Sequence, residues 1–109
     1  MGVTKTEFYS TQQIEIARLA KVLGHPARIA IVQHVIQSQS CICGDLVEEI
    51  GLAQATISQH LRELKQAHIL KGTVEGTSVC YCLNTDTWSK VADLFSTLFA
   101  ASSADQRCC

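Results

Sequence analysis

The sequence contains no apolar run approaching the roughly 18 residues that a membrane span requires. Its opening residues, MGVTKTEFYS, lack the apolar core of a secretory signal. Neither export nor membrane insertion is expected, and the expected location is the cytoplasm. The short pattern M-G-x-x-x-[ST], met by Met1, Gly2 and Thr6, allows N-myristoylation, but nothing else points to a membrane. Basic charge is scarce too. Nine Lys and Arg against ten Asp and Glu give a net charge of −1, so composition alone does not mark a nucleic-acid binder. There is no phosphate-binding loop, no paired-carboxylate motif and no nucleophile beside a base, which leaves catalysis without machinery. C-x-x-C is also missing, which argues against a thiol oxidoreductase.

What is present suffices for one domain. The 109 residues are 47% hydrophobic, with no internal repeat and no linker before the polar end of the chain. The expected organisation is a domain over 1–100 and a flexible cysteine-containing tail over 101–109. Ser10 and Gln13 have capping-box spacing, and Ile16, Leu19, Ala20 and Leu23 then share one helical face. Gly24 ends that helix. Pro26 suits the first turn of a second, which carries Ile29, Ile31, Val32, Val35 and Ile36 and reads as buried nearly all round. GDLVEEIG predicts a short helix with Asp45 and Glu48 at cap spacing and Gly51 closing it. From Ala53 a longer helix buries Ile57, Leu61 and Leu64. After Lys71-Gly72 the period becomes two. Val79, Tyr81 and Leu83 share one strand face, Cys80 and Cys82 the other, and Glu75 to Ser78 forms the hairpin tip. A last helix from about Asp86 aligns Trp88, Val91, Ala92, Phe95, Leu98 and Phe99, an apolar stripe suited to a second copy of the chain. The fold class is mainly α with a small β-hairpin, comprising five helices.

A short helix, a glycine-containing turn and a second helix with a polar outer face describe a helix-turn-helix, and the hairpin after it makes a winged helix. The second helix would enter the major groove. Gln54, Thr56, Ser58, Gln59 and Arg62 are side chains that bond bases or phosphates. His60 reads as packed or phosphate-facing. Arg62, Lys65 and Lys71 against Glu63 give this stretch a local charge of +2, which a dimer would present twice.

The stretch DLVEEIGLAQATISQHLRELKQAHIL, with HPAR at His25 to Arg28 and a wing ending VCYCL, resembles the ArsR–SmtB family of metal-responsive winged-helix repressors. The resemblance spans about residues 12 to 100. It implies a homodimer joined through its first and last helices. It also implies a palindromic operator read by the helix matching Gln54 to Gln66, and release when inducer binds. Three departures stand out. Ala53 replaces the usual Ser, removing a side-chain N-cap worth about 1 kcal/mol. His68 stands where Gly is usual, near a helix end that often needs positive φ. The wing tip lacks the family's basic residues.

Six cysteines carry the sensing question. Without export they read as a reduced set open to soft metals, metalloids or redox chemistry. Cys41 and Cys43 form a C-x-C before the helix-turn-helix, displaced by one residue from the pair of the family's arsenic sensors, and Cys43 falls at a position often buried. Cys80 and Cys82 lie about 6.6 Å apart along one strand face. Cys108 and Cys109 end a tail without apolar companions, beside Arg107, which favours thiolate. Some arsenic sensors of the family use vicinal cysteines near the C-terminus. Two thiolates suffice for a monosubstituted organoarsenical; arsenite or antimonite takes three. The family's zinc sensors carry Asp and His on the last helix, and TDTWSKVADLFSTLF has no His. The expectation is therefore a dimeric repressor with no permanent cofactor. Trivalent arsenic or antimony is the inducer and Cys108, Cys109, Cys41 and Cys43 are the candidate ligands. A thiol-redox or persulfide switch of the same fold is the alternative, and a small thiol oxidoreductase or metal carrier a remoter one.

Overall fold

A computed structural model of the chain describes residues 6–42, 51–75 and 78–100. A 3₁₀ turn, Thr6–Phe8, precedes α1 (Thr11–Leu23) and α2 (Pro26–Ser38). Then come α3 (Gln54–Gln66), the strands β1 (Leu70–Glu75) and β2 (Ser78–Leu83), and α4 (Thr85–Phe99). Four α-helices are thus seen among the described residues. The expected short helix after Cys43 lies outside them, as does the tail. No helix among the described residues is long and apolar enough to cross a membrane.

Helix starts follow local chemistry. Ser10 caps α1 through a complete capping box: its hydroxyl accepts from Gln13 N–H at 3.0 Å, and Gln13 Oε1 accepts from Ser10 N–H at 2.8 Å. The ring of His25 caps α2, its Nδ1 accepting from Ala27 N–H at 3.0 Å, with Pro26 at the first helical position. Asn84 caps α4 by accepting from Thr87 N–H. Ala53 has extended N-cap geometry but no side-chain bond to give α3.

The reversal from α3 into β1 is a Schellman closure. His68 N–H donates to Lys65 O at 2.9 Å and Ile69 N–H to Leu64 O at 3.0 Å. His68 holds φ +63° there, the left-handed conformation that glycine supplies without strain. Leu64 and Ile69, which pack together in this motif, have no solvent exposure. Around them gather Leu19, Ile31, Val35, Ile57, Leu61, Leu70 and Val91, so the core joins both N-terminal helices to α3, the hairpin and α4.

β1 and β2 pair antiparallel from Leu70↔Leu83 to Glu75↔Ser78. A further bridge adds Ile42 to the outer side of β2, opposite Tyr81, with N–H···O bonds of 2.9 and 2.8 Å. α4 packs on α1, and Lys90 meets Glu15 at 3.3 Å across that contact. One expectation needs correcting. α2 is apolar nearly all round, yet only Ala27, Ile31, Val32 and Val35 are buried, while Ile29 and Ile36 are each 41% exposed. The core of a small domain covers one side of this helix, and among the described residues no element reaches the other.

Two substitutions test these helix ends. His68→Gly is expected to raise unfolding stability by about 0.5–1 kcal/mol by removing the left-handed strain. Ala53→Ser should add about 1 kcal/mol by supplying the missing cap. Urea denaturation reads both.

Candidate nucleic-acid interface and cysteine bridge

Gly51, at φ +81°, turns the chain into α3. Along α3 the 3.6-residue period separates two faces. Ile57, His60, Leu61, Leu64 and Ala67 point into the protein, whereas Thr56, Gln59 and Arg62 are exposed and Ser58 is half-buried. Gln54 is the first residue of the helix. The exposed side chains are already linked: Arg62 Nη1 donates to Gln59 Oε1 at 3.0 Å, and Gln59 Nε2 donates to Glu63 Oε1 at 3.1 Å. A guanidinium and a carboxamide held side by side offer the donor and acceptor pattern that reads base edges in a major groove. Behind them, Lys65 runs close over Gly72 of β1, where a Cβ would come within 3.3 Å of Nζ.

His60 stands apart from the other expected DNA-facing residues. It is 7% exposed, and its ring lies 4.5 Å from that of His25. Its Nδ1 accepts from Arg28 Nε at 3.0 Å, while Arg28 Nη1 donates to Val22 O at 3.0 Å. His25, Arg28 and His60 thus form one hydrogen-bonded cluster joining the α1–α2 corner to the back of α3, with His25 also capping α2. The HPAR stretch and the histidine of ISQHL are the two halves of this contact. Burial chiefly, then the neighbouring His25 and Arg28, hold the His60 pKa below its ordinary value, with Glu63 opposing.

The cysteines are arranged differently from the expectation of a reduced set paired within each C-x-C. Cys41 and Cys82 form a disulfide, with Cα atoms 4.3 Å apart. The reason is register. Ile42 and Tyr81 exchange both backbone hydrogen bonds, so Cys41 and Cys82 face each other as the adjacent, closer pair. Sulfurs within one C-x-C of a strand are separated by two residues, a longer reach than the gap between strands. Cys80 is 1% exposed and is not a free thiol. Cys43, Cys108 and Cys109, three of the four expected ligands, lie outside the described residues. Cys82 was not among those ligands. Two C-x-C motifs of equal spacing were the signal for it, since equal spacing is what opposed strands require. Among the described residues no three His, Cys, Asp or Glu side chains converge on one point.

A helix-turn-helix domain family matches residues 23–73. The chain is 30% identical over 93 residues to the biofilm growth-associated repressor of Xylella fastidiosa strain 9a5c, covering 85% of this chain and 78% of that one. It is 40% identical over 65 residues to the transcriptional repressor SmtB of Mycobacterium tuberculosis, covering 60% of this chain and 47% of that one. The crystal structure of the repressor BigR from Xylella fastidiosa superposes with a TM-score of 0.64 at 26% identity, over 92% of this chain and all of that one. Fold and site therefore define a winged-helix DNA-binding repressor and not an enzyme. More narrowly, the chain belongs to the ArsR–SmtB family of winged-helix transcriptional repressors.

The buried histidine makes stability depend on pH. Below about pH 6.5 the unfolded chain takes up a proton at residue 60 that the folded chain resists, so stability falls as the pH drops through that range. The urea midpoint should decline from about pH 7 to pH 5. His60→Gln, which keeps an acceptor for Arg28 but does not titrate, should flatten that decline.

Proposed function

We propose that the chain is a cytoplasmic, homodimeric operator-binding repressor whose hold on DNA is set by the state of its cysteine sulfurs. The observation that carries this reading is the Cys41–Cys82 bond, which fastens the segment after α2 to the wing strand β2. One end of the bond lies on the approach to the helix-turn-helix and the other in the wing. A chemical change there acts on both parts that touch a duplex. Thr56, Gln59 and Arg62, with Gln54 and Ser58, read the operator. Leu98 and Phe99 on α4, 51% and 74% exposed, supply the apolar surface for a second copy, with α1 alongside. Two copies would place their reading helices in successive major grooves, about 34–36 Å apart.

The inducer is a soft thiophile, trivalent arsenic or antimony, which prefers sulfur ligands to oxygen. Cys41 with Cys82, and the vicinal pair Cys108 and Cys109, are the sulfurs that support it. A thiol–disulfide switch is the second reading, and the observed disulfide is what favours it. Coupling is reciprocal, so operator DNA weakens inducer binding by the factor by which inducer weakens DNA binding.

Fluorescence anisotropy of a labelled fragment from the gene's own upstream region tests both readings. Arg62→Ala should weaken binding by about tenfold or more, as for loss of one good base or phosphate contact. Reduced protein should release DNA on addition of arsenite or methylarsonous acid, and a Cys41→Ser, Cys82→Ser, Cys108→Ser, Cys109→Ser variant should stay bound. Release that follows oxidation and reverses with dithiothreitol, with arsenic inert, selects the redox switch. DNA binding indifferent to arsenic and to oxidation alike would overturn sulfur sensing.

A further inference from the structure

Arg28 is half-buried near the start of α2, and its guanidinium spans two other elements. Nη1 donates to Val22 O, in the last turn of α1, at 3.0 Å, and Nε donates to His60 Nδ1 on α3 at 3.0 Å. His60 is itself buried, and the His25 ring packs on it. Both acceptors are neutral, a carbonyl and an imidazole nitrogen, so these bonds depend on direction more than on charge. Nε and Nη1 are thus engaged inside the fold. Every pair of guanidinium nitrogens that could grip a phosphate side by side includes one of them.

α3 needs such a hold. It starts at Ala53 without a side-chain cap, and Ile57, Leu61 and Leu64 anchor it through apolar contact. Apolar packing is non-directional, so it fixes the depth of a helix in the core more firmly than its rotation about its own axis. Base readout demands the rotation as well, since a binding constellation must be held within about 0.5 Å and 10–20°. His60 follows Gln59 directly and lies about 200° around the helix from Arg62. A directional bond at its ring therefore resists rotation of both exposed side chains.

We propose that Arg28 is a positioning residue for operator reading, fixing the rotation of α3 through His60 so that Gln59 and Arg62 meet base edges. The inference rests on reading of the operator by α3 and is independent of sulfur sensing. It carries a pH signature. A protonated ring has no acceptor for Arg28 Nε. The titratable and charged groups acting on the ring are His25 and Arg28 from the α1–α2 corner, which oppose its charge, and Glu63 from α3, which favours it. α1 contributes the Val22 carbonyl, which engages Arg28. Acidification loosens the hold on α3, so preference for the operator over other DNA falls as the pH drops.

The test uses the full chain with a phosphine reductant and no arsenical, so the state of the sulfurs does not vary. Fluorescence anisotropy measures affinity for the upstream fragment and for an unrelated duplex of equal length. Arg28→Met should weaken operator binding about tenfold while leaving the unrelated duplex within about twofold. The salt dependence of binding should keep its slope. A slope shallower by about two for the dimer, with both duplexes weakened alike, makes Arg28 a phosphate contact and overturns the proposal. Unchanged operator affinity overturns it too. Between pH 7.5 and 5.5 the wild-type ratio of operator to unrelated affinity should fall, and that of His60→Asn, which places a carboxamide oxygen where Nδ1 stood, should stay level. A ratio that falls equally in both overturns the role of His60. If Arg28→Met loses its helical circular dichroism, the comparison at residue 60 decides. His60→Asn should bind the operator as wild type does and His60→Leu about tenfold more weakly; equal affinities overturn the proposal. Arg62→Ala is run alongside and reports on α3 itself. If it changes neither affinity nor slope, reading by α3 fails, and the role of Arg28 fails with it.

Discussion

The turn from α3 into β1 is the constraint on which the rest of the molecule depends. Ile69 N–H bonded to Leu64 O reverses the chain within three residues and buries both side chains at the centre of the core. That reversal fixes the angle between the reading helix and the wing. It also sets the start of β1, hence the register Leu70↔Leu83, hence the position of Cys82. Asn84 N–H returns to Ile69 O at 2.9 Å, so the beginning of α4 hangs from the same residue. A left-handed histidine at the pivot shows that the geometry is imposed by the surrounding core and not by local preference.

Two further contacts hold α3 from its other sides. At its back, Arg28 spans from Val22 O to His60, and the His25 ring both caps α2 and packs on His60. Arg28 and His60 can share a hydrogen bond only while Nδ1 is unprotonated, since a protonated ring has no acceptor to offer. This contact therefore works best with neutral His60, which is the form that burial also favours. Toward the approach to α3, the bond between Cys41 and Cys82 closes the segment after α2 onto the hairpin. The reading helix is thus positioned by an apolar centre, a polar cluster and a covalent staple, and of these only the last two respond to solution chemistry.

Much of this was legible in the sequence because it follows from short-range chemistry. The capping box at Ser10 and Gln13, Pro26 after a capping residue, and the change of period at Lys71-Gly72 each specify local geometry within a few residues. The missing cap at Ala53 and the positive φ at His68 were readable for the same reason, as departures from what those backbone positions require. The outward face of α3 was readable through its period. The cysteine pairing was hinted at by two C-x-C motifs of equal spacing but not fixed by them. It depends on Ile42 joining the outer edge of β2, a contact between residues about 40 positions apart whose register no local pattern fixes. The burial of His60 was half visible, because HPAR and ISQHL are separately recognisable while their contact is tertiary. Ile29 and Ile36 show the limit of composition: an apolar residue can be read as such, but whether anything covers it depends on the number of elements available.

The location of the disulfide bears on how a signal at sulfur would travel. From Cys82 the chain passes through Leu83, part of the core margin, to Asn84, which caps α4. Across the bond from Cys82, Cys41 follows the left-handed Gln39 that ends α2. The bridge therefore lies between the end of one core helix and the start of another, with the uncovered Phe99 stripe at the far end of the second. A packed core transmits small displacements because it has few voids to absorb them. On the sulfur-sensing proposal, opening this bridge would change how β2 is held, and with it the wing and the first turn of α4. The reading helix keeps its own apolar anchorage through Ile57, Leu61 and Leu64. Such a device would alter the spacing and orientation of two DNA-binding units more readily than it would unfold either one, and spacing is what two successive grooves select.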